Sequence, residues 1–205
     1  MKVYNNPFSG AGFKVTAVVN ELALSNVELI TVDLGKGQHQ EPWFRAINPH
    51  AKVPALVDGD MCLFESNAII TYLGALKPES GLVPTDPRGL AEVQKWLHWH
   101  SSTFYPDAMK INWNTYYQKV LGHPKDEKTL AEGRELVARD LKAMDGALQG
   151  REYLTGKLTV ADFSLVSALL MRDVAGIDLT PFPNVKAWAE RMEARPSLKK
   201  ARPPV

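Results

Sequence analysis

Residues 51–73 read AKVPALVDGDMCLFESNAIITYL, and this stretch decides how the rest of the chain is parsed. Two short apolar runs, 55–57 (ALV) and 62–64 (CLF), flank Asp58-Gly59-Asp60. An Asp-Gly step between apolar runs marks a tight hairpin. From Ser66 the period changes: Ile69, Tyr72, Leu73 and Leu76 fall at i, i+3, i+4 and i+7, one face of a helix. Pro54 stands directly before the first strand, where it removes a ladder donor. In the trans form it is an ordinary strand start. In the cis form the chain turns sharply and leaves the backbone of Val53 to pair with an extended peptide, as in strand addition. Ser66 reads as the N-cap of the helix that follows. A helix N-terminus carries about half a positive charge. Ser66 and the first backbone N–H groups therefore suit a carboxylate, and Glu65 beside them suits an ammonium. Together they fit an amino-acid head group; a plain capped helix uses the same residues.

Upstream, 2–4 (KVY) is short and β-prone, and Val15, Val18, Val19 and Leu22 repeat the helical spacing. Residues 27–32 (VELITV) alternate as a strand does, which completes a βαβ unit with parallel strands. Between strand and helix lies NPFSGAGFKV, 6–15, with one hydroxyl, Ser9, among small residues. Ser9 is a turn former and helix cap, or a hydroxyl aimed at a ligand over the helix N-terminus. Residues 33–50 lack a period and read as a loop with one short helix near 42–45. The first 76 residues are thus β-α-β-(loop/α)-β-β-α.

Residues 77–89 (KPESGLVPTDPRG) hold three Pro and two Gly and read as an interdomain linker. Beyond them everything is helical, with domains expected at 1–76 and 90–205. Residues 94–117 are long and aromatic-rich, with Pro106 expected to kink or interrupt the helix. Val137, Leu141, Met144 and Leu148 mark another amphipathic helix, and 158–174 reads as a buried central one. Val185, Trp188, Ala189 and Met192 mark the last helix, stopped before Pro196. In LTVADF (158–163), Thr159 and Asp162 have capping-box spacing, with Leu158 and Phe163 as the hydrophobic staple.

The chain has 205 residues, 45% hydrophobic and 23% charged, with a net charge of +1. That is an ordinary globular composition, and no basic block points to a nucleic-acid partner. The single cysteine, Cys62, excludes an internal disulfide and favours a reducing compartment. No signal peptide and no membrane span are expected, so a cytoplasmic location is. His98 and His100, two apart on a helix, face different ways and do not form a zinc pair; no metal is expected.

NPFSGAGFKV, KVPAL and FESNAIITYL, in that order, resemble a cytosolic glutathione transferase, and LTVADF resembles the capping motif of that family's helical domain. Linker position, domain order and length match as well, so the resemblance covers essentially the whole chain. It is to serine-type members, and the loop GKGQHQEP is most similar to phi and bacterial ones. The resemblance implies an α+β, thioredoxin-like N-terminal domain that binds glutathione as co-substrate, and an all-α C-terminal domain that lends the second-substrate pocket. It implies a cis bond before Pro54, main-chain pairing of Val53 with the cysteinyl part, and Glu65 and Ser66 on the γ-glutamyl amine and carboxylate. His39 and Gln40 match positions that meet the glycine carboxylate. Many relatives have Lys at the second, and Lys52 can supply the missing charge.

Within this resemblance Ser9 donates a hydrogen bond to the thiolate. A free thiol has a pKa of about 8.5; a nearby donor and a helix N-terminus lower it. Gly10 and Gly12 leave room for the sulfur, and Gly10 and Ala11 border the electrophile. Tyr4 is the rival activating group. A Cys is absent near Ser9, which disfavours mixed-disulfide chemistry. Thr103, Phe104, Trp113 and Tyr117 are the expected walls for an apolar or aromatic electrophile. The resemblance also implies a homodimer. Two other readings stay open: a non-catalytic binding protein on the same scaffold, and a glutathione-dependent isomerase, lyase, peroxidase or dehalogenase.

Overall fold

The computed structural model describes residues 1–202. The chain divides into two compact units, Met1–Thr85 with the segment from Glu193 onward, and Asp86–Met192. Residues 203–205, the end of the expected helical domain, lie outside the described residues.

The first unit contains β1 (Lys2–Asn5), α1 (Gly10–Glu21), β2 (Glu28–Thr31), α2 (Pro42–Ile47), β3 (Ala55–Asp58), β4 (Met61–Phe64) and α3 (Ser66–Ala75). The sheet order is β2-β1-β3-β4. β1 runs parallel to β2 and antiparallel to β3, and β3 and β4 form the expected hairpin. Gly59 in its turn has φ +60°, a region that glycine enters without steric penalty. Side chains alternate across the sheet. Val3 pairs with Leu56, both buried, on one face; Tyr4 pairs with Ala55 on the other, where Val32, Phe44 and Ala55 form a small core with Tyr4, Ile47 and Val53 against it. α1 buries Val15, Val18 and Val19 and packs on α3.

Pro196 does not end the helical part of the chain. It opens a further helix, residues Pro196–Ala201, because a proline in the first turn lacks an N–H that would have had no partner anyway. That helix packs on α1, with Leu198 buried. Glu21 of α1 accepts hydrogen bonds from Arg195 and from the Ser197 hydroxyl. The expectation that 90–205 forms one helical domain therefore differs from the observed units: the segment from Glu193 belongs with the first.

In the second unit α4 (Pro87–Trp99) starts inside the expected linker, capped by Asp86, whose Oδ1 accepts the Gly89 N–H at 2.8 Å. Residues 100–104 form a π-helical turn, followed by α5 (Tyr105–Asn112), a second π turn at 113–117 and α6 (Gln118–Leu121). Pro106 neither breaks nor ends this path. It sits in the first turn of α5, and the wider turn before it carries the Tyr105 N–H to the His100 carbonyl.

α7 (Glu127–Ala147) is amphipathic as expected, burying Leu130, Val137, Leu141 and Met144. α8 (Val160–Ala168) is buried throughout, but the expected helix over 158–174 is interrupted before α9 (Arg172–Ala175). α10 (Pro183–Ala194) follows, and Pro196–Ala201 is α11. The capping box is present: the Thr159 N–H donates to Asp162 Oδ2 at 2.9 Å. Among the described residues no helix is long and apolar enough to cross a membrane.

Candidate functional site

The register of the sheet decides which loops meet. Tyr4, Ala55 and Phe64 stand abreast on β1, β3 and β4, and Asn5 stands beside Thr31 of β2. β1, β2 and β4 therefore end where β3 begins. The loop after β2 carries His39 and Gln40, the loop after β1 carries Ser9, Val53 and Pro54 precede β3, and Glu65 and Ser66 follow β4. All emerge at one edge, in the spatial order β2, β1, β3, β4. Three inter-strand spacings make that edge about 14 Å long.

Ser9 is the N-cap of α1, with φ −82° and ψ 120°, and its Oγ accepts the Gly12 N–H at 3.2 Å. That bond uses a lone pair and leaves the hydroxyl hydrogen to donate elsewhere. Two asparagines that sequence reasoning passed over build this loop. Asn5 donates to the Gly12 carbonyl and to Thr16 Oγ1, both at 3.0 Å, and its Oδ1 accepts the Asn6 N–H at 2.7 Å. Asn6 donates to the Val32 carbonyl and its Oδ1 accepts the Phe8 N–H, each at 3.0 Å. The space at Gly12 is filled by Asn5, so it makes no room for a sulfur, contrary to the expectation. Gly10 and Ala11 form the first turn of α1 and are half-buried. Tyr4 packs its ring against Trp43 and Phe44, at centroid distances of 5.9 and 6.4 Å, as a sheet residue.

The Val53–Pro54 peptide bond is cis. The β3 ladder begins at Ala55, so Val53 lies outside it. The buried Asn48 pins the preceding loop by donating to the Lys52 carbonyl at 2.6 Å and accepting the His50 N–H at 3.1 Å. The Lys52 side chain is exposed.

Ser66 is not the N-cap of α3. Glu65 occupies that position, at φ +69°, and no side chain caps the helix. Ser66 is the first helical residue. The first backbone N–H groups of α3 are thereby left to an incoming acceptor. A non-glycine residue at such a φ is strained and marks a candidate site. Below this corner lies Lys14 of α1, 1% exposed, donating to Asn67 Oδ1 at 2.7 Å. Burial pushes its ammonium down to about 7, against the pull of the Glu65 carboxylate. Nothing in the sequence pattern separates Lys14 from a solvent-facing lysine.

His39 lies in a single turn of 3-10 helix, with Nδ1 shielded and without a hydrogen-bond partner among the described residues. Gln40 is exposed, and both its Oε1 and its carbonyl accept from the Arg45 guanidinium. Arg45, overlooked in the sequence, brings a cation to the place where Lys52 was expected to supply one.

In the second unit, Thr103 and Tyr117 are half-buried and Trp113 is 48% exposed, stacked on His123 at 4.7 Å. Phe104 has no exposed surface and stacks on Trp99 at 5.2 Å. Its ring belongs to the helical core, so it is not a wall open to a small molecule. His98 is exposed and His100 buried, on different faces. Among the described residues no cluster of His, Cys, Asp or Glu has the makings of a metal site.

Comparison with known proteins gives this edge its family. Residues 1–75 match "Glutathione S-transferase, N-terminal domain", and residues 100–196 match "Glutathione S-transferase, C-terminal domain". Glutathione S-transferase 3 of Zea mays is 34% identical over 98% of this chain and 92% of its own length. The crystal structure of glutathione transferase F2 from Populus trichocarpa superposes with a TM-score of 0.91 at 26% identity, covering 98% of this chain and 96% of that one. Glutathione S-transferase-I bound with lactoylglutathione gives a TM-score of 0.87 at 28% identity over 98% and 97% of the two chains. Two family domains in the expected order, with full-length relatives above 30% identity, mean that this chain belongs to the glutathione S-transferase family.

Proposed function

We propose that the chain binds glutathione along the shared edge of the first unit and transfers its thiolate to an electrophilic, apolar or aromatic small molecule. The observation that carries this reading is Ser9: a cap hydroxyl with its lone pair engaged and its hydrogen available, at the centre of an edge about as long as a tripeptide. Glu65 holds the γ-glutamyl amine, and Ser66 with the uncapped N-terminus of α3 holds its carboxylate. Val53, beside Pro54, pairs with the cysteinyl backbone. His39, Gln40 and Lys52 face the glycine carboxylate, with Arg45 as an added cation. Gly10 and Ala11 border the reacting sulfur.

In this arrangement the chemistry needs little from the protein beyond charge stabilisation and positioning. The thiol loses its proton to solvent, the sulfur lone pair forms a bond to the electrophilic carbon, and the leaving group departs with its electron pair or the adduct takes up a proton. Ser9 is a donor throughout and forms no covalent intermediate. Its Oγ accepts an amide N–H, which strengthens its own O–H as a donor. Spectroscopic titration of the bound thiol tests the assignment: Ser9→Ala should raise its pKa by about one unit or more, equivalent to about 1.4 kcal/mol. Equal values in the two proteins would remove Ser9 from the mechanism. A cytoplasmic homodimer is part of the same proposal, and sedimentation of the purified chain checks the dimer.

A further inference from the structure

We infer that Lys14, sealed beneath the β4–α3 corner, positions that corner and supplies a cationic field that draws the γ-glutamyl carboxylate of glutathione to the first turn of α3. This rests on the glutathione reading above. The first support is placement. Lys14 lies five residues after Ser9 on α1 and ranks among the largest fully buried side chains. Lysine is almost never fully buried without a partner, and a Leu or Met of similar reach fills such a space without the desolvation cost. The second support is its contact. Nζ donates to Asn67 Oδ1 at 2.7 Å, and Asn67 is the second residue of α3, next to Ser66. The Asn67 carbonyl in turn accepts the Thr71 hydroxyl at 2.8 Å, tying that side chain's residue into the helix. One buried cation thus joins the helix that bears the cap hydroxyl to the helix end that would take the carboxylate.

Glu65, just before α3, acts on Lys14 directly. On α3 itself the titratable group is Tyr72, which donates to Asp58. At the far end of α1, Glu21 is engaged by Arg195 and Ser197, and Lys77 donates to the Leu22 carbonyl. Lys199 and Lys200 of α11 and Lys2 of β1 are exposed. Burial brings the ammonium of Lys14 down to about 7. Its charge is therefore present below neutral pH and lost above it, and the attraction for the carboxylate should fall in the same range.

The test is calorimetric binding of S-methylglutathione between pH 6 and 8 to wild type, Lys14→Arg and Lys14→Met. This ligand has no thiol, so Ser9 chemistry is silent, and the ligand's own amine is common to all three titrations. Wild type should lose affinity relative to Lys14→Arg, which stays charged, by on the order of fivefold across this range. Lys14→Met should bind more weakly than wild type at pH 6, and the gap should narrow by pH 8, where the neutral amine has lost its charge but can still donate to Asn67. Parallel profiles for wild type and Lys14→Arg would overturn the inference, as would undiminished affinity of Lys14→Met at pH 6. If the methionine variant fails to fold, the arginine comparison decides alone. Failure of wild type to bind at any pH would bring down the glutathione reading itself, and the inference with it.

Discussion

A Cβ at position 12 would lie 1.6 Å from Oδ1 of Asn5. That side chain holds the Ser9 loop through the Gly12 carbonyl, Thr16 and the Asn6 N–H, so it cannot step aside without breaking all three bonds. Gly12→Ala should cost about 3 kcal/mol in urea unfolding, the sum of overpacking and stranded polar groups. A cost under about 0.5 kcal/mol, the usual range for a surface change, would show that the loop relaxes freely. The glycine was legible in the sequence, but its reason was not, because the neighbour that fills its space lies seven residues away. Lys14 makes a second residue-scale case. Its folded value, about 7, lies below its ordinary 10.5. Between these values the unfolded chain holds a proton that the folded chain has released, so stability rises with pH across the window. Below pH 7 both states hold the proton and the full cost of the buried ammonium is present. Any stability difference favouring Lys14→Met should therefore shrink by about 1.4 kcal/mol per pH unit above neutrality. Urea melts at pH 7 and pH 9 measure it, and a constant difference would contradict the burial of the charge.

At the scale of elements, helix ends carry most of what is specific here. α1 and α4 are capped by Ser9 and Asp86, whereas α3 begins at a strained glutamate with no side-chain cap. Sequence pattern located the starts of α1 and α3, because period and turn residues are local signals, but read the first turn of α4 as linker. It misassigned Ser66 as a cap because Ser is among the preferred caps and the φ of the residue before it is set by tertiary context. The hairpin, the βαβ unit and the buried α8 were legible for the same local reasons. Pro106 was read as a break because a π turn that accommodates it leaves no compositional trace. The site was legible as motifs, but the common edge that gathers them comes from strand register, and Arg45 and Lys14 act through neighbours distant in sequence. α8 shows how much a helix start can hold. Asp162 accepts from the Leu154 N–H at 3.0 Å, the Thr159 N–H at 2.9 Å and Trp188 Nε1 at 2.9 Å, all in the second unit's core. Burial pushes its carboxyl up, and these donors oppose that shift. Asp162→Ala would strand three buried donors, for a loss of about 4 kcal/mol. Denaturant titration checks it, and a loss near the ~1 kcal/mol of an ordinary cap would mean that water replaces the carboxylate.

At the scale of the molecule, the first unit is assembled from both ends of the chain, with Asp86–Met192 between them in sequence. Helical period extends past Met192 without a change in composition, which is why the sequence alone placed the whole C-terminal half in one domain. The contacts reverse that assignment. Leu198 and Ala201 are buried, Asn20 donates to the Ser197 carbonyl at 3.2 Å, and Arg195 and Ser197 converge on Glu21. Burial pushes the Glu21 carboxyl up, but the hydrogen bonds from Arg195 and Ser197 outweigh it and hold the group below its ordinary 4.5. That part of the stability is present above pH 4.5 and is lost as pH falls through the lowered folded value. α11 therefore covers the face of α1 that the N-terminal segment leaves bare. A chain ending at Ala194 should lose about 2 kcal/mol from the burial of Leu198 and up to about 1 kcal/mol from the partly buried ion pair. The loss should fall on the unit that carries Ser9, so affinity for immobilised glutathione should decline at urea concentrations that leave the full chain bound. Glu21→Gln separates the two contributions: it keeps Leu198 covered, removes the charge, and should abolish the acid-side fall in stability while costing less than truncation. If the truncated chain unfolds at the same urea concentration as the full one, α11 is an appendage and the first unit is complete at Thr85.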